Sequence, residues 1–207
     1  VEQMYALSRR ELRTIWGGVQ GERWYYHIRG EVIPSEKSQR GSFGNSHVLD
    51  PEHRSVRKAL PVLERLLMKA AARLRTHGFR SGRLTVFVRH RYERQAYVWQ
   101  AEAHFAPISD TISAIQALKK IWSGRPNGLV PYAVGVTFTD LVTEANHTPS
   151  LFDRDDKRLA LSRAMDKVNG AFGKNKVYIG GASDALETTP VRIAFRNIPD
   201  MGVENLM

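Results

Sequence analysis

Apolar and polar residues alternate along Phe79–Tyr92, FRSGRLTVFVRHRY. Leu84, Val86 and Val88 share one side, and Arg83, Thr85, Phe87, Arg89 and Arg91 share the other. A repeat of two predicts a β-strand with one buried and one cationic face. His90, within this run, reads as a surface or edge histidine.

The same reading places other elements around this strand. A strand is predicted over Ser42–Leu49. A helix follows to about Arg75, with Leu60, Leu63, Leu67, Ala70, Ala71 and Leu74 turned inward, and His77-Gly78 closes it. Pro61 requires that helix to begin just before it or to kink there. After a charged turn near Glu93-Arg94, Gln95–Phe105 alternates again, through Tyr97, Trp99, Ala101, Ala103 and Phe105. Asp110 caps a helix whose stripe is Ile112, Ile115, Leu118 and Ile121. A turn at Arg125–Gly128 leads to a last strand, Val130–Leu141. There Val134, Val136 and Phe138 alternate with Gly135, Thr137 and Thr139. The order strand-helix-strand-strand-helix-strand predicts an α+β, split βαβ fold: a four-stranded antiparallel sheet with both helices on one face. The other face of the sheet is then open.

Shorter segments flank this domain. Val1–Met4 opens within a helical pattern, so the chain is expected to be a piece of a longer one. Ser8-Arg-Arg-Glu11 has the form of a capping box, followed by Leu12, Ile15 and Trp16 at helical spacing. Gly17-Gly18 separates that helix from a second, about Val19 to Ile28, with Trp24 and Ile28 on one face and Gly30 at its end. Residues 31–41, rich in Pro, Ser and charge, read as a linker. The predicted organisation is a helical unit over 1–30, the linker, the open-faced domain over 42–146 and a C-terminal extension over 147–207. In the extension, Leu161, Met165, Val168 and Phe172 form a helix stripe, and Val177–Ile179 and Val191–Phe195 are strand-like.

Charge sharpens this picture. The net charge is +10 over 207 residues. Arg54 to Arg91 holds 11 Lys/Arg against one acid, Glu64, and the remainder is balanced at 20 of each sign. A local excess of this kind reads as a polyanion-binding surface, with a solvated basic helix face as the alternative. The open face suits a phosphate backbone. Arg83, Arg89 and Arg91 supply attraction, while Ser42, Gly44, Thr85, Thr137 and Thr139 are small or carry hydroxyls. No apolar run reaches the roughly 20 residues needed to span a bilayer, so no membrane partner is expected. There are no cysteines, and the histidines lack ligand spacing. The cluster Asp153-Arg154-Asp155-Asp156 sits at a helix start, where the dipole favours carboxylates. No catalytic or metal-binding residue is assigned.

Five segments carry a family resemblance: LSRRELRTIWGGVQGERWYYHIRGE (Leu7–Glu31), RGSFGNSHVL (Arg40–Leu49), MKAAARLRTHGFRSGRLTVFVR (Met68–Arg89), VGVTFTDL (Val134–Leu141), and LSRAMDKVNGAFG with VRIAFRNIPD (Leu161–Gly173, Val191–Asp200). In this order they resemble the C-terminal part of bacterial Y-family, DinB/UmuC-type translesion DNA polymerases. They correspond to a remnant of the thumb, the little-finger domain and a C-terminal extension. The resemblance implies sequence-independent binding of template–primer duplex DNA through its phosphates, in error-prone synthesis during damage tolerance and repair, in the cytoplasm. Arg40, Ser42 and Gly44 match the family's phosphate-contacting first strand; Gly41 stands where a second basic residue is common.

In that family the palm domain holds the carboxylates and the magnesium that carry out nucleotidyl transfer. No such motif occurs here, so this chain is expected to hold no cofactor and to be inactive alone. Family members also carry a sliding-clamp peptide, Gln-Leu-Ser/Asp-Leu-Phe. Ser150, Leu151 and Phe152 match its end, while Thr148 and Pro149 replace its start. The alternative for these residues is a staple for the following helix. A catalytically inactive adaptor that recruits partners through the clamp is the second functional reading.

Overall fold

The computed structural model of the protein describes residues 2–33, 41–92, 95–146 and 155–186, with the backbone alone at 91, 92, 95, 96, 155 and 156. The chain divides into two compact units, Val1–Arg40 and Gly41–Met207.

The first unit holds α1 (Glu2–Ala6), α2 (Arg9–Trp16) and α3 (Val19–His27). Ser8 caps α2 in a reciprocal capping box with Glu11. Gly17 and Gly18 turn the chain with φ near +70°, a region that side chains avoid. Gly21 then lets α3 lie directly on α2, since a Cβ there would stand 2.2 Å from the Leu12 carbonyl oxygen. Leu12 is fully buried, but Ile15 and Trp16, expected beside it, are exposed.

The second unit contains β1 (Phe43–Val48), α4 (Val56–Thr76), β2 (Phe79–Tyr92), β3 (Gln95–Ile108), α5 (Thr111–Ser123), β4 (Pro131–Thr143) and α6 (Asp155–Phe172). The strands form one antiparallel sheet in the order β1-β4-β2-β3. β4 therefore lies between the strands joined by α4, and β2 between those joined by α5, two interlocked split βαβ units. This is the expected fold class, with β2 as one of the two central strands.

Leu84, Val86 and Val88 of β2 are at most 1% exposed. They meet Val134, Val136 and Phe138 of β4, Phe43 of β1, and the apolar stripes of α4 and α5 in one core. α4 begins five residues before Pro61, capped by Ser55, whose Oγ accepts from the Lys58 N–H at 3.2 Å. Pro61 lies in the second turn, and the carbonyl it leaves unpaired belongs to exposed Arg57, where water reaches it. Asp110 caps α5, as expected, accepting from the Ser113 N–H at 2.8 Å.

Three expectations are corrected. His90 is not a surface residue: it is 4% exposed, because its even position puts it on the helix side with Val88. The stripe expected of α6 is rotated. Leu161 and Phe172 are exposed, at 47% and 72%, and the buried residues are Leu159, Ser162 and Met165. Polar contacts set this rotation. Ser162 Oγ accepts from the Thr111 N–H at 3.0 Å, and Asp166 takes a two-point contact from Arg75, at 2.6 and 2.8 Å. Nor is Val177–Ile179 a strand. The Asn169 side chain occupies both backbone groups of Val177, at 2.8 and 3.0 Å, and a short 3-10 helix follows at Gly180–Ala185. Val191–Phe195 lies outside the described residues.

That 3-10 helix packs on α4. Arg65 donates to the Ala185 carbonyl at 3.0 Å, and the buried Glu64 carboxylate lies against Gly181, where a Cβ would stand 1.8 Å from its Oε2. Lys119 reaches Glu64 at 3.3 Å. The described part of the extension, residues 155–186, thus packs on the helix side of the domain. The Arg75–Asp166 pair should hold α6 in place. We expect Arg75→Ala and Asp166→Ala each to lower stability by about 2–3 kcal/mol. In urea denaturation the double variant should lose scarcely more than either single one; strictly additive losses would mean that the two side chains are not coupled.

Candidate nucleic-acid interface

The outer face of the sheet is built of four rows that cross the strands. In register, they run Thr139–Arg83–His104, Gly44–Thr137–Thr85–Glu102, Ser46–Gly135–Phe87–Gln100 and Val48–Ala133–Arg89–Val98. The pleat that sends Leu84, Val86 and Val88 into the core turns these residues outward. Thr85, Thr137, Thr139, Arg83, Arg89 and Gly44 thus share one face, and exposed Ser42 precedes β1. Arg91 is opposite Ala96 in the β2–β3 register. Arg40, Ser150, Leu151 and Phe152 lie outside the described residues.

The two described arginines of the face differ. Arg83 is already engaged: its Nε donates to Asp140 Oδ2 at 2.9 Å and a terminal nitrogen to Oδ1 at 2.7 Å, with Glu102 at 3.8 Å. His104 completes the group, 3.1 Å from Glu102 and 4.0 Å from Asp140. The hydrogen bond from Arg83 holds the Asp140 carboxyl below the usual aspartate range. A depressed carboxyl contributes stability above its unfolded-state pKa and loses it only as pH falls through the lower folded value. The pair is therefore ionised at neutral pH. Arg89, by contrast, has no carboxylate partner among the described residues; its guanidinium lies 5.8 Å from the Phe87 ring centroid.

Asp140 reaches this face through a break in regular geometry. Strict alternation would turn it inward with Phe138. Its φ of +52°, a left-handed value that aspartate tolerates better than most residues, instead brings it to Arg83. Opposite, a register shift between Ser81 and Arg83 marks a bulge. Ser81, fully buried, fills it by donating to the Thr139 carbonyl and accepting from the Arg83 N–H at 3.3 Å. Sequence reasoning missed Asp140, for which the pattern gives no signal. Glu102 and His104 could have been found, because they alternate with Ala101, Ala103 and Phe105 and so must face outward.

The basic segment is also less available than its charge count implies. Arg54 donates to the Leu49 carbonyl, Arg65 to Ala185, Arg73 to Asn45 and Arg75 to Asp166, while Arg80 lies 3.8 Å from Glu144. Most of these arginines hold the helix side together. Among the described residues, no group of three or more His, Cys, Asp or Glu side chains could hold a metal ion, and no helix is long and apolar enough to cross a membrane.

Near Arg89 the face carries a groove of about 320 Å³, lined by Ser46, His47, Val48, Phe87, Arg89 and Ala133. Burial holds the His47 imidazole below its ordinary range, assisted by nearby cations such as Arg65 and opposed by Asp50. Arg89 is the charged side chain that the strand register turns toward the groove.

Comparison with known proteins identifies the family of the chain. The impB/mucB/samB family C-terminal domain matches residues 40–151, more than half of the chain, and the chain belongs to that family. It is 24% identical over 147 residues to DNA polymerase IV of Bacillus anthracis, covering 69% of this chain and 35% of that protein. It is also 24% identical over 168 residues to the protein named for UV-damage repair, UvrX, of Bacillus subtilis (strain 168), covering 77% and 40%. A solved Y-family DNA polymerase chimera of Dbh and Dpo4 aligns with 68% of this chain and 40% of its own, at 17% identity and a TM-score of 0.46. The chain spans 35% to 40% of the length of the two curated relatives. The resemblance to Y-family, DinB/UmuC-type polymerases is borne out.

The engagement of Arg83 has a measurable consequence. Asn tolerates the left-handed backbone as Asp does, so Asp140→Asn should remove the nearer of the two competing charges and leave the strand intact. The variant should bind a polyanion such as duplex DNA several-fold more tightly at low salt. Its log–log salt dependence should be steeper by up to about 0.9, the contribution of one added phosphate contact. Unchanged affinity and slope in an anisotropy titration would mean that Arg83 gains nothing from its release.

Proposed function

We propose that the open face binds duplex template–primer DNA through its phosphate backbone, without reading sequence. The chain thereby acts as the DNA-gripping part of a translesion polymerase in damage tolerance. One observation carries this reading: among the described residues, the helices and the extension lie on one side of the sheet, and the other side presents Arg89 among small and hydroxyl-bearing residues. A cation supplies sequence-independent attraction, while threonine and serine hydroxyls donate to phosphate oxygens at close range. Family membership supports the reading, as do the polymerase and repair names of the relatives. The magnesium of a polymerase palm finds no donor set among the described residues, and no step of nucleotidyl transfer is assigned to them.

The reading predicts weak binding, with a dissociation constant on the order of 10⁻⁴ to 10⁻⁶ M at physiological salt, equal for unrelated duplex sequences and falling steeply as salt rises. Replacing Arg89 and Arg91 together by Glu should lower duplex affinity by at least about tenfold and flatten the salt slope by close to 2. A double variant that binds as the parent does would sink the open-face assignment.

A further inference from the structure

Phe87 is an unexpected residue on a face that holds phosphates. It occupies an outward position on β2, in register with Gly135 of β4, beyond which lies Ser46 of β1. A Cβ at Gly135 would stand 2.3 and 2.4 Å from two atoms of the Phe87 ring. The ring therefore leans across β4 into space that only glycine leaves open, and it remains partly exposed. This accounts for Gly135 in mid-strand, where glycine otherwise weakens a sheet.

The groove beside the ring combines three kinds of surface. Phe87, Val48 and Ala133 are apolar, Arg89 is cationic, and Ser46 offers an exposed hydroxyl. At about 320 Å³, it has room for roughly ten waters, more than one planar base displaces. A phosphate would be served by cations and amides and would gain nothing from an aromatic ring with two aliphatic neighbours. A nucleobase matches all three: a π-face for the ring, a plane for the guanidinium, and polar edges for the hydroxyl.

We propose that this groove is a single-base subsite, which takes one unpaired nucleobase of single-stranded DNA against Phe87 and Arg89. The assignment rests on the reading of the open face as a DNA-binding surface and adds to it a place for a base that has left the duplex.

The test compares three probes on the full chain: an oligothymidylate of about eight nucleotides, an abasic oligonucleotide of equal length, and a duplex. The thymidylate should bind at least about fivefold more tightly than the abasic strand. Phe87→Leu, which keeps apolar bulk over Gly135, should abolish that difference, whereas Phe87→Tyr should preserve it. Equal binding of the thymidylate and abasic strands by the parent protein, a measurement that needs no variant, would overturn the subsite. So would an undiminished base preference in Phe87→Leu. A parent protein that prefers the thymidylate but fails to bind duplex would overturn the duplex reading instead and leave the base subsite standing.

Discussion

Everything the sheet can do follows from its one-sidedness. Leu84, Val86 and Val88 on β2 meet Val134, Val136 and Phe138 on β4, and both sets are sealed by α4 and α5. Each such side chain contributes roughly 1.5–3 kcal/mol by leaving water. A slip of one residue would expose the entire set, so the register is strongly specified. The opposite face is fixed by the same choice, since every outward residue is the neighbour of a buried one. Arg89 faces outward because Val88 faces inward. The extension preserves this asymmetry by docking on α4 and α5 and adding its contacts to the covered side.

That asymmetry also governs how the charge is used. Eleven basic residues between Arg54 and Arg91 suggest a broad cationic surface. In the fold, arginines of this segment serve two purposes. Those of α4 and its flanks satisfy carbonyls and carboxylates, and Arg75 alone joins α6 to the Ser109 carbonyl and to Thr111. On β2, Arg83 and Arg89 face outward, and Arg83 is neutralised locally. Counting charge along the chain cannot separate the two, because the segment passes from the helix side to the open face within a few residues.

The strands were legible because period-two alternation records burial directly, and the caps Ser8 and Asp110 because their side chains answer specific backbone groups. Strand order was not legible. β1-β4-β2-β3 depends on which central strand receives the return from α5, and no local pattern encodes that choice. The α6 stripe was misread for a chemical reason. Its docking face is marked by Ser162 and Asp166, which are buried by hydrogen bonds and ion pairing, while the more apolar Leu161 and Phe172 stay outside. Asp140 was hidden because a left-handed residue moved it out of phase with its strand. Of the candidate site, sequence identified the face and its hydroxyls, but not the carboxylates that occupy Arg83.

Those carboxylates give the open face a direction. At the Arg83 end, Asp140 and Glu102 bring two negative charges to one arginine and one histidine. At the Arg89 end, the described residues provide a cation without a carboxylate. An anionic strand on this face is therefore attracted more strongly at one end of β2 than at the other. A uniform arginine ladder would hold a phosphate backbone at any point along the strand. A graded one favours a single placement without touching a base. The groove, with Phe87 leaning over Gly135, lies at the cationic end.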